Sequence, residues 1–138
     1  MTPPSPNRTS PDPASSGADG DPRTALRDIG QVPAVEVVTT VALHLMSAAA
    51  VQLGLGDPQD TGPGEPTAHQ PIDLDEARTL ITSLAGLITA SAPRLGTFHA
   101  APLRDGLRTL QLAFREASPI PDAPGRAPGE DLTGPVLP

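Results

Sequence analysis

Three sets of residues in this chain have types and spacing that suit chemistry. Asp73, Asp75 and Glu76 put three carboxylates within four residues, the raw material of a divalent-cation or acid/base site. Arg104, Arg108 and Arg115 recur on one helical face with Gln111, and guanidinium is the favoured group for holding a carboxylate-rich partner or an RNA backbone. His44, in "VALHLMSAAAVQLGLG", and His69, in "GDPQDTGPGEPTAHQP", each offer an imidazole for proton transfer or metal ligation. Catalysis needs a nucleophile, a base and an orienting group brought together. No such trio can be assembled from these residues, and neither histidine has a second ligand near it in sequence. The sequence therefore assigns no catalytic, metal-binding or cofactor-binding residue, and the expectation is a protein that is not an enzyme.

Composition narrows the classes further. Of 138 residues, 19 are Pro and 13 Gly, and the aromatic residues are Phe98 and Phe114 alone, so only part of the chain can form a packed domain. Cysteine is absent, which excludes disulfides, Cys-ligated zinc and thiol catalysis and suits a cytoplasmic protein. Lysine is absent too, which excludes Walker-type phosphate loops and Schiff-base chemistry. A net charge of −7 opposes nonspecific binding to nucleic acid, because that affinity comes from neutralising phosphates. Any such contact has to be a local patch.

The elements that would position these groups follow from periodicity. Residues 1–22 lack the basic and apolar regions of a signal peptide and read as a disordered Pro-rich tail; residues 119–138, with six prolines, read the same way. Between them, 23–118 form the helical domain, with helices expected at about 33–54, 74–92 and 101–117 and a mobile linker over 56–72. The fold class is all-α, a small three-helix hairpin or bundle flanked by disordered tails.

In the second helix Leu74, Ala77, Leu80, Ile81, Leu84, Leu87 and Ile88 share an arc of about 160°. Asp73 is placed to cap it, with Glu76 completing a capping box and Pro93 stopping it. The acidic cluster is thus accounted for by the favourable position of acids in a first helical turn. Gly86, at a cost of ~1 kcal/mol to the helix, points to close packing. The third helix begins near Pro102 and aligns Leu103, Leu107, Leu110, Phe114 and Ala117 within about 120°. Its arginine row reads as a solvated face, with Asp105 and Glu116 beside it; the alternative is an RNA- or ribosome-associated accessory factor.

The first helix is different. Glu36, Thr39, Thr40, His44 and Ser47 form a polar stripe, which with the absence of flanking Lys or Arg argues against a membrane span. Its apolar side nevertheless spreads over about 220°, more than two neighbours of about 160° and 120° can cover. A small domain nearly without aromatics commonly gains stability by oligomerising. The expected interaction surface is Val37, Val38, Val41, Leu45 and Val51, and the expected partner is a second copy, as a homodimer, or another protein.

The order "VTTVALHLMSAAAVQLGLGDP", "IDLDEARTLITSLAGLITASAP", "AAPLRDGLRTLQLAFREASP" resembles a bacterial family catalogued as domain of unknown function 1844, in its form from high-GC Gram-positive bacteria. Leu53 and Gly54 match the Leu-Gly ending of the family's first helix, and Leu74, Ala77 and Arg78 match a Leu-x-x-Ala-Arg opening of its second. The resemblance covers about Val32 to Pro119 and extends weakly into "PGEDLTGPVLP". It implies a small helical cytosolic protein and carries over no activity, cofactor or site residue.

Overall fold

A computed structural model of the chain describes residues 2–3, 30–56 and 71–137. Among these residues the architecture is all-α, with no strand: α1 spans Ala34–Gln52, α2 spans Leu74–Ala117, and α3, a single turn, spans Glu130–Thr133. Most of the expected amino-terminal tail and most of the expected linker lie outside the described residues.

α1 starts where Pro33, with φ −56°, presents its carbonyl to the N–H groups of Glu36 and Val37. It ends on Gly54 at φ 75°. There the Leu55 N–H bonds to the Ala50 carbonyl at 2.8 Å and the Gly54 N–H to that of Val51 at 3.0 Å, which satisfies the last free carbonyls of the helix. α2 begins beside this end. The Asp73 carboxylate accepts the Glu76 N–H at 3.1 Å, the cap expected from the sequence. The reciprocal half of the capping box is not made, because the Asp73 N–H donates instead to the Gln52 carbonyl at 2.9 Å and ties the start of α2 to the end of α1.

α2 is two helical arms folded into a hairpin. Its one non-helical residue is Gly96 (φ 72°, ψ 165°), a backbone region in which an L side chain is strained whatever the space around it. The Arg78 guanidinium lies 5.0 Å from the centre of the Phe114 ring, so residues far apart in sequence meet across the hairpin. This corrects the expected boundaries of 74–92 and 101–117. Proline at 93 removes a single N–H from the last turn of its arm, and burial of Leu95 holds that turn helical up to the glycine. The second arm likewise begins about a turn before Pro102, where buried Ala100 anchors it.

The core lies between the arms and under α1. Ile81, Leu84 and Ile88 from the first arm meet Leu107 and Phe114 from the second, all fully buried. α1 adds Ala42, Ala49 and Leu53, with Val35, Val38, Leu45 and Met46 partly buried against the cluster. Close approach is made elsewhere than at Gly86, where a Cβ would meet only the Leu132 side chain at 3.9 Å. It occurs at Gly106, where a Cβ would lie 2.8 Å from the Met46 side chain, and at Gly129, where one would lie 2.6 Å from the Ala85 Cβ.

The segment after residue 118 departs most from expectation. It was expected to be a disordered tail, yet Ala127, Glu130 and Val136 are buried as it runs back along α2. Its order comes from hydrogen bonding around a carboxylate, a signal that average composition does not carry.

Two substitutions test the hairpin. Gly96→Ala should lower stability by about 1–3 kcal/mol, because the reversal demands a conformation closed to alanine. Gly86→Ala should be neutral or stabilising by up to about 1 kcal/mol, since space is available in a regular helix. Thermal melts followed by helical circular dichroism measure both.

Candidate functional site

Two surfaces hold the residues that the sequence singled out, and they differ in kind. The first is the outward side of α1. Ala42 and Ala49 point into the core, and the helical step of about 100° then turns Val37, Val41 and Val51 outward. These three are 37%, 43% and 39% exposed, a large share for β-branched apolar side chains on a helix face. Val38 and Leu45, expected on the same surface, turn toward the hairpin and are partly buried against the core. The interaction surface is therefore narrower than expected. His44 lies within it, exposed, with no hydrogen bond to another described residue. α1 is long and apolar enough to cross a membrane by length and composition, with a mean hydropathy of 1.7, and 11% of that stretch is buried.

The second surface is the arginine face of the second arm, which the structure splits. Arg104 and Arg108 are exposed, and the Arg108 Nη2 donates to the Val136 carbonyl at 3.3 Å. Both border an open cleft of about 430 Å³ between the hairpin and the carboxyl-terminal segment, with Ile88, Leu107, Leu132 and Val136 in its walls. Arg115 is not available to a partner. Its side chain is 9% exposed and grips Glu130, whose side chain is fully buried, through Nε at 3.1 Å and Nη2 at 2.9 Å to both carboxylate oxygens. The expected row of three guanidinium groups thus reduces to two, with Asp105 between them in sequence.

Glu130 is the residue that sequence reasoning missed. Besides Arg115, its carboxylate accepts the backbone N–H groups of Gly125 at 2.8 Å, Val136 at 3.3 Å and Ala127 at 3.4 Å. Burial by itself would raise its pKa. The hydrogen bonds from Arg115, Val136 and Gly125 and the guanidinium charge outweigh that effect and hold the carboxyl below its ordinary value of 4.5. Around this centre Arg115 Nη1 donates to the Asp122 carbonyl at 2.9 Å, and the Asp122 carboxylate pairs with Arg78 at 2.9 Å. Gln111 Nε2 donates to the Pro128 carbonyl at 3.0 Å and the Thr133 hydroxyl at 3.3 Å. Glycines at 125, 129 and 134, all at positive φ, let the segment coil around the carboxylate. Their spacing about a lone "ED" pair was the available signal.

The other candidates fall apart as sites. Asp73 is occupied as a cap, while Asp75 and Glu76 are exposed in the first turn. His69 lies outside the described residues. Among the described residues there remain an internal ion-pair centre with its donors and acceptors matched, the open cleft beside Arg104 and Arg108, and an exposed apolar helix face.

Residues 34–116 match the family model described as Domain of unknown function (DUF1844). The match spans α1 and all but the end of α2, so Arg115 falls inside it and Glu130 outside. No curated protein and no solved structure matches the chain.

The buried ion pair yields a pH-dependent prediction. A carboxyl whose pKa is lower in the folded state contributes stability that is fully present above its unfolded-state value and is lost as pH falls through the folded one. Protection of the Gly125, Ala127 and Val136 amides from hydrogen exchange should hold at neutral pH and fade as pH drops below about 4.5. Glu130→Gln should release the segment at pH 7, leaving the Arg115 charge without its partner at a cost of about 3–5 kcal/mol. Exposed Arg126 then becomes a site of rapid tryptic cleavage. Truncation after Pro121 should lower the melting temperature for the same reason.

Proposed function

The chain belongs to the family Domain of unknown function (DUF1844), and from that premise we propose that it is a noncatalytic module that self-associates through the outward face of α1. The observation that carries this reading is the one-sided burial of α1. Ala42, Ala49 and Leu53 seat the helix on the hairpin, while Val37, Val41 and Val51 form an exposed stripe. That stripe holds no charged side chain on a protein of net charge −7, so two copies can meet there without like charges opposed. The hairpin face that receives α1 is already filled, and the carboxyl-terminal segment leaves α1 uncovered. The alternative, contact with RNA through an arginine row, is left with two of its three members, Arg104 and Arg108, because Arg115 serves inside the protein.

Light scattering coupled to size exclusion tests the reading on the full chain. The mass should be twice the 14.1 kDa of one chain at micromolar concentration. Val41→Asp would bury an unpaired carboxylate in the contact at a cost of several kcal/mol and should give a folded monomer. Leu43→Asp adds the same charge about 120° around the helix from the stripe and should leave the dimer intact. A 14.1 kDa monomer that floats with lipid vesicles would overturn the reading in favour of a membrane surface.

A further inference from the structure

The outward face of α1 has more order than exposure alone conveys. Ala34, Val37, Val41, His44, Ala48 and Val51 follow one another at steps of three, four, three, four and three residues, the repeat of a coiled-coil seam. At about 100° per residue they occupy an arc of about 100°, set well around the helix from the core-facing Ala42 and Ala49. Such a seam fits one kind of partner best: another helix carrying the same repeat. Among the described residues, the other two helices are engaged, α2 in the hairpin and α3 as a single turn against it. A second α1 supplies the repeat.

The side-chain sizes then choose the direction. In a parallel pair each seam residue meets its own copy. Two layers would be Ala on Ala and one His on His, so thin layers and a bulky one would alternate along the contact. In an antiparallel pair centred between Ala42 and Leu43, residues whose numbers sum to 85 face each other. Ala34 meets Val51, Val37 meets Ala48, and Val41 meets His44, each twice about a two-fold axis. Every alanine is then matched with a valine and no two histidines share a layer, the alternation of large and small that lets facing layers interdigitate. Antiparallel placement also sets the opposed helix dipoles favourably. We infer that α1 pairs with α1 of a second copy as an antiparallel two-fold coiled coil, with Val37 of one chain facing Ala48 of the other. This rests on the self-association reading and adds to it a direction and a register.

The native chain has no cysteine, so single introduced thiols report the geometry cleanly. Full-length Val37→Cys and Ala48→Cys variants are mixed, exchanged and oxidised in a glutathione buffer, and the products are identified by mass spectrometry. A disulfide needs Cα atoms within about 7 Å. The expected outcome is that the 37–48 heterodimer dominates the oxidised product and that Val37→Cys alone scarcely cross-links, since its two copies would lie about 16 Å apart along the axis. Dominant 37–37 or 48–48 products would overturn the direction. A dominant 41–51 product from a Val41→Cys and Val51→Cys mixture would overturn the register by one heptad. In both cases the dimer itself would stand. A dimer by light scattering that gives none of these products would overturn the helix pairing, and a monomer would remove the self-association reading with it.

Discussion

At Gly96 the backbone takes φ 72° and ψ 165°, and with no further residue of loop the two arms of α2 are set side by side. A reversal this short leaves no slack. It fixes the register in which Arg78 reaches Phe114 and in which the buried faces of the two arms meet. Register in turn fixes what the hairpin offers its surroundings: one apolar groove for α1, and along the second arm the positions Gln111 and Arg115 that receive the carboxyl-terminal segment. A side chain at residue 96 would disturb both at once.

The carboxyl-terminal segment shows how a proline- and glycine-rich stretch becomes ordered with little apolar area. Its hydrogen bonds converge on a single carboxylate, which satisfies N–H groups from three residues that a turn-rich backbone would otherwise leave open. A buried ion pair is often no more stabilising than apolar residues of similar volume, but it is sensitive to the loss of either member. The Arg115–Glu130 pair therefore specifies one path for the segment more than it adds to global stability. Arg115 lies within the stretch matched by the family and Glu130 beyond it, so the segment's anchor is written into the helix and its order into the residues that follow.

The helices and most of the core could be read from the sequence because they depend on periodicity. The stripes through Ala77, Ile81, Leu84 and Ile88, and through Leu103, Leu107, Leu110 and Phe114, are buried as their spacing predicts. The Asp73 cap was legible for the same local reason. What was not legible depends on tertiary partners. Proline at 93 is locally a stop, and only burial of Leu95 carries the helix past it. Arg115 is locally one more cation in a row, and only the return of the chain reveals it as the partner of Glu130. Gly86 invited a close contact that the fold makes instead at Gly106 and Gly129. On α1 the excess of apolar arc was visible from the sequence, whereas the division of its valines into Val38, which packs inward, and Val37, Val41 and Val51, which do not, required the position of the hairpin.

A hairpin closed by one glycine and a segment held by one carboxylate make a support that carries the exposed, uncharged face of α1. Under the proposed self-association this face is a contact between copies. An isotope-filtered NOE experiment on an equimolar mixture of labelled and unlabelled full-length chain tests that most directly. The methyl groups of Val37, Val41 and Val51 should show cross-peaks to protons of an unlabelled copy. Intermolecular cross-peaks confined to other residues, or none at concentrations where the measured mass is that of one chain, would contradict it.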